Sequence, residues 1–96
     1  MQNVQIQNAL NSYNSGVFYA TMSDDLVLVY PEADHPLTGK SDAVFQINAI
    51  NEETCAVSFL DADGYPIDME FCKIEGLAAS IEKDMIACGY KGGYNA

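Results

Sequence analysis

The groups in this chain best able to do chemistry are its acids, three cysteines and a single histidine. The acids are densest in Asp61-Ala62-Asp63-Gly64-Tyr65-Pro66-Ile67-Asp68-Met69-Glu70, where carboxylates stand at 61, 63, 68 and 70 with no cation among them. Such a run could ligate calcium, supply a general acid and base, or present negative charge to a partner. A calcium loop of the helix-loop-helix type needs acids at its first, third and fifth places, Gly at the sixth and Glu at the twelfth. Counted from Asp61, Gly64 arrives fourth, Tyr65 stands fifth and Cys72 takes the twelfth place. The pattern fails, and no metal site is expected. A glycosidase needs two carboxyl groups facing each other across a cleft, whereas Asp68 and Glu70 are expected on a convex hairpin.

The nucleophiles fare no better. Cys55, Cys72 and Cys88 are one short of two disulfides and show no C-x-x-C spacing, so they read as small buried thiols in a reducing compartment. That makes the cytoplasm, of a bacterium or a host cell, the expected address. His35, between Asp34 and Pro36, reads as a solvated or loop-bracing imidazole, and a zinc site or a Cys–His dyad built on it is disfavoured. The chain contains no Arg and so lacks the best electrostatic clamp for phosphoryl transfer. A glycine-rich phosphate loop is missing too. Neither a catalytic residue nor a cofactor is expected.

Charge narrows the partners. Fourteen Asp and Glu against four Lys give a net charge of −10. A chain without guanidinium forks and with scattered lysines cannot neutralise a nucleic-acid backbone, so direct DNA or RNA binding is not expected, nor is docking on an anionic membrane. The natural electrostatic complement is a basic protein surface. Residues 1 to 23 carry no charged side chain; without a basic leader or a long apolar run, neither a secretory signal nor a bilayer span is expected.

The elements that must position these groups follow from periodicity. A length of 96 residues, 49% of them hydrophobic, supports one domain over 1–96, ordered from about 3 to 89, with 90–96 as a mobile tail. Ile6, Ala9, Leu10 and Tyr13 share one helical face, with Gln and Asn on the solvent side. VFYATM and LVLVY form a hairpin around Ser23-Asp24-Asp25, with Phe18, Ala20, Met22, Val27 and Val29 on one face and Tyr19, Thr21, Leu28 and Tyr30 on the other. After an irregular segment over 31–43, Phe45, Ile47 and Ala49 alternate inward. The next hairpin needs an odd loop, Ala62-Asp63-Gly64, to keep carboxylates off the core. That register sets 59 opposite 67 and 57 opposite 69, with Ile67, Met69 and Phe71 inward and Asp68 and Glu70 outward. Leu77, Ala78, Ile81, Met85 and Cys88 form a final helical stripe capped by Gly89. The expected fold is α+β: an antiparallel sheet of about five strands with an N-terminal and a C-terminal helix packed on one face.

On this framework Asp68 and Glu70 stand about 6 to 7 Å apart on one strand face, on the scale of successive phosphates. Asp61 and Asp63 extend the row at the tip, and Glu52 and Glu53 lie at the opposite end. Asp61, Asp63, Asp68, Glu70, Glu52 and Glu53 are therefore the expected partner-binding residues. The expected function is that of a non-enzymatic inhibitor or nucleic-acid-mimicking decoy of a basic nucleic-acid-handling protein. Small acidic phage antagonists of CRISPR or restriction systems share this general character. The alternatives are an immunity protein against a basic nuclease toxin, or a self-associating structural or small-molecule-binding domain. In the last case Tyr19, Leu28 and Tyr30 would carry a homodimer contact.

Overall fold

The computed structural model describes residues 2–33 and 42–90. The chain order is α1 (Gln2–Tyr13), β1 (Phe18–Ser23), β2 (Leu26–Pro31), β3 (Phe45–Ala49), β4 (Thr54–Leu60), β5 (Pro66–Lys73) and α2 (Leu77–Ala87). The strands form one antiparallel sheet in the order β1-β2-β3-β4-β5, so each strand pairs with its neighbour in sequence. Ser23 pairs with Leu26, leaving Asp24-Asp25 as a two-residue turn, and Asp24 takes the positive φ of 55° that primed hairpin turns use. The fold is α+β, as the periodicity requires.

Alternation within the strands decides where the core lies. Phe18, Ala20, Val27, Val29, Phe45, Ile47 and Cys55 point to one face, where Ile6 and Leu10 of α1 and Leu77, Ile81 and Met85 of α2 join them in a single buried cluster. Both helices therefore cover the same face of the sheet. The opposite face carries the cross-strand pair Tyr19 and Tyr30, whose rings stack at 5.5 Å with 13° between planes.

Helix α1 departs from the simple stripe in an instructive way. Only Ile6 and Leu10 are buried, while Ala9 and Tyr13 are exposed. The amides expected in solvent instead serve the sheet. Asn11 Nδ2 donates to Ala20 C=O at 2.9 Å, and Asn11 Oδ1 accepts from Ala20 N–H at 2.7 Å. Gln7 Nε2 reaches the same carbonyl at 3.4 Å, and Asn3 Oδ1 accepts from Ala49 N–H at 2.7 Å. Asn3, Gln7 and Asn11 recur every four residues and form one row along the helix. Gln7 and Asn11 satisfy backbone groups that β1, as an edge strand, would leave open, and Asn3 does the same at the end of β3.

The largest correction concerns β5. The three-residue loop is present: Asp61 N–H donates to Tyr65 C=O at 2.9 Å, Gly64 has φ 85°, and Phe59 pairs with Ile67. Beyond that point the ladder shifts. Asp68 adopts φ 50°, Val57 pairs with Glu70 rather than Met69, and Ala56 pairs with Phe71. A β-bulge here sets two residues against one and turns the rest of the strand over. Glu70 and Cys72 consequently lie on the helix side, and Phe71 lies on the far side, 66% exposed. Met69 and Ile67, expected in the core, are 56% and 42% exposed.

Because Asp68 is solvent-exposed, substitutions there test the backbone alone. Asp68→Gly is expected to leave stability near wild type, since relief of the left-handed conformation offsets the entropy lost on folding. Asp68→Val should be less stable by about 1 to 2 kcal/mol, since a branched Cβ crowds the backbone at positive φ. Urea denaturation of the pair measures the difference, and equal midpoints would show that the bulge relaxes.

At the C-terminus, Gly89 takes φ 100° just past α2, and Tyr90 N–H donates to Met85 C=O at 3.0 Å. Tyr90 also packs against the core, so it belongs to the fold rather than to the expected tail, of which 91–96 lie outside the described residues.

Candidate interaction surface

The acids are held in place by different means. Asp61 is a turn former: its Oδ1 accepts from Asp63 N–H and from Tyr65 N–H, both at 2.9 Å, an Asx arrangement that fixes the hairpin tip. Asp63 is fully presented beside it. Glu52 and Glu53 are exposed in the β3–β4 turn, at the opposite end of the sheet, where Asn51 Oδ1 accepts from Glu53 and Thr54 N–H at 2.8 and 2.9 Å. The six acids singled out from the sequence therefore do not form one row.

Two concave regions collect carboxylates from separate parts of the chain. A groove of about 470 Å³ is rimmed by Asp24 from the β1–β2 turn, by Asp42, and by Asp61 and Asp63, over Leu26 and Leu28. A second, of about 240 Å³, lies between β5 and α2. Asp68, Glu70 and Asp84 edge it, and Val57, Phe59, Leu77 and Ile81 supply apolar walls. Both Glu70 and Asp84 raise the pKa of the Cys72 thiol, after the larger effect of its own burial. Among the described residues no ion pair joins Lys73 or Lys83 to these acids.

Asp24, Asp42 and Asp84 were not singled out from the sequence. Asp84 follows Ile81 by three positions and precedes Met85, which places it beside the buried stripe of α2 and within reach of β5. Asp24 and Asp42 have no local signal, because only the sheet topology brings them to Asp61.

The remaining candidates disperse. Tyr19 and Tyr30 are engaged in their mutual stack, with Leu28 half-buried nearby. The cysteines are unequal: Cys55 is buried, Cys72 half-buried and Cys88 exposed, which corrects the expectation of three buried thiols. Burial, with a smaller effect from Cys72, pushes the Cys55 thiol up to about 11. Tyr13 donates to Glu82 Oε1 at 3.1 Å, tying α1 to α2, and this bond raises the tyrosine pKa. His35 lies outside the described residues, so neither the zinc site nor the dyad can be placed. Among the described residues no group of three or more His, Cys, Asp or Glu could hold a metal ion. No helix there is long and apolar enough to cross a membrane. Comparison with family models, curated proteins and solved structures finds no match for this chain.

Proposed function

We propose that this chain is a non-enzymatic acidic binding protein that occupies a basic, nucleic-acid-handling surface of another protein, as a decoy inhibitor does. The observation that carries this reading is the exposure of Asp63, Asp68, Glu70, Glu75 and Asp84 along the β4–β5 hairpin and α2, with no ion pair to Lys73 or Lys83 among the described residues. Uncompensated charge of this kind does little for stability. It accelerates encounter with a cationic groove and selects against anionic competitors. With a net charge of −10 and no Arg, the chain is suited to displacing a nucleic acid rather than binding one. The partner class that fits is a nuclease or effector with a cationic groove, whether from a CRISPR or restriction defence or a secreted toxin.

The test is competition. The chain is immobilised and exposed to extract from cells that express it, and the retained protein is challenged with duplex DNA and with salt. The expected result is a single basic protein that DNA displaces and that elutes below about 0.5 M salt, where screening shortens the reach of charges to a few ångströms. A retained protein indifferent to DNA would refute the decoy reading.

A further inference from the structure

The sheet has two edges, and the chain treats them differently. On β1 the outward N–H and C=O of Ala20 are taken up by Asn11. Among the described residues the outer edge of β5 has no neighbouring strand, and no helix bonds to it as Asn11 bonds to β1. Ile74 N–H donates to Glu53 C=O at 2.9 Å. Since Lys73 pairs with Thr54 and Phe71 with Ala56, alternation along the antiparallel ladder turns the backbone groups of Phe71 and Lys73 outward. The strand bearing them is exposed at almost every position, and Phe71 at 66% and Met69 at 56% leave large apolar area in water. The bulge at Asp68 breaks the edge, so the usable stretch runs from Met69 to Lys73.

We infer that this stretch of β5 is a docking edge for an extended segment of the partner, which adds as a further strand. The segment alternates apolar residues with Lys or Arg. This proposal rests on the reading of the chain as a binder of basic proteins, and it names how the partner is held. Charge complementarity selects the occupant. On the helix side an added strand runs beside Glu70, with Asp68 and Asp84 on the same groove. There the aliphatic stem of a Lys or Arg crosses the apolar walls while its head meets the carboxylates. On the far side its apolar residues cover Phe71, which faces only the small Ala56 across the pair. Lys73 closes one end, which places the partner's cations toward Glu70 and fixes the register. A second copy of this chain is the poorer occupant, because each copy carries a net charge of −10 and the two would repel.

The test uses the full chain and three short synthetic peptides: one alternating Val and Arg, one of the same composition with the Arg residues grouped together, and one alternating Val and Glu. Backbone amide exchange at Phe71 and Lys73 is followed by NMR, with affinity from fluorescence anisotropy. The alternating basic peptide is expected to bind at least about tenfold more tightly than the other two, with exchange at both amides slowed by at least about tenfold. Phe71→Pro removes the outward N–H without touching the bonds to β4 and should lose that advantage. Should this variant fail to fold, Phe71→Ala serves, with a loss of severalfold in affinity.

Equal binding of the two basic peptides, or binding without protection at Phe71 and Lys73, overturns strand addition. If DNA still displaces a captured basic protein in that event, the decoy reading survives and only the docking edge falls. Sedimentation showing a dimer that Phe71→Ala dissociates would overturn the proposal in favour of a second copy.

Discussion

Asn11→Ala is expected to destabilise the chain by about 2 kcal/mol, although the side chain sits on an exposed helical position and alanine is the better helix former. Asn11 donates to Ala20 C=O and accepts from Ala20 N–H, and Ala20 itself is only 3% exposed. Truncation orphans a nearly buried donor at an edge strand, and each such group costs about 1 to 3 kcal/mol. Gln7 still reaches the carbonyl at 3.4 Å, which limits the loss on that side. A gain of about 0.6 kcal/mol in helix propensity offsets part of the remainder. Asn8→Ala is the control, since Asn8 is exposed on the same helix and should move stability only by that small gain. Urea denaturation with unchanged m-values distinguishes the two. A second consequence follows from the edge itself: with its backbone unsatisfied, β1 becomes a template for another chain, and light scattering should show association in Asn11→Ala alone. Equal stability of the two variants would mean that water replaces the amide without penalty.

Much of the architecture was legible from side-chain period. Val27, Val29, Phe45 and Ile47 alternate cleanly, so β2 and β3 face the core as expected, and the odd loop closed by Gly64 followed from keeping carboxylates off that face. The bulge was not legible. Ile67, Met69 and Phe71 alternate as a buried strand would, and nothing in PIDMEFCK marks Asp68 as the residue with positive φ. The pattern gives the period but not the phase, and one inserted residue reverses the phase for everything after it. The same limit hid the role of the amides on α1. Asn3, Gln7 and Asn11 look like a solvent face until a strand edge is brought beside them.

The candidate surface was legible in proportion to its locality. Asp61, Asp63, Asp68 and Glu70 were visible as a run because they sit within one hairpin. The groove partners Asp84, Asp24 and Asp42 come from elements distant in sequence. Composition announced an acidic protein; only the fold determines which acids share a concavity. The bulge then changes what the surface offers. Without it β5 would show water a plain acidic face. With it the strand shows carboxylates on the helix side and a phenyl ring on the other. The surface is therefore amphipathic across its edge, and a purely electrostatic partner would leave Phe71 uncovered.

Alkaline pH is expected to weaken the fold through Cys55, by about 2 kcal/mol between neutral pH and pH near 11. The thiol is fully buried on the core side of β4, and its pKa is raised from 9.0 to about 11. Burial disfavours the thiolate, so the folded chain keeps the proton over a range in which the unfolded chain loses it. In that window the native state binds more protons, and stability falls as pH rises. The contribution is whole below pH 9, declines from there, and is gone once pH passes the folded value of about 11. Cys72, Tyr13 and Tyr90 are raised as well and add to the same slope, so wild type alone does not isolate the effect. Cys55→Ala does, because it removes this proton while leaving the others, and the small cavity it opens lowers stability by the same amount at every pH. The stability of wild type relative to Cys55→Ala should fall by about 2 kcal/mol as pH rises from 7 toward 11, in urea denaturation under reducing conditions. Parallel curves would place the Cys55 thiol in contact with water and remove the argument from burial.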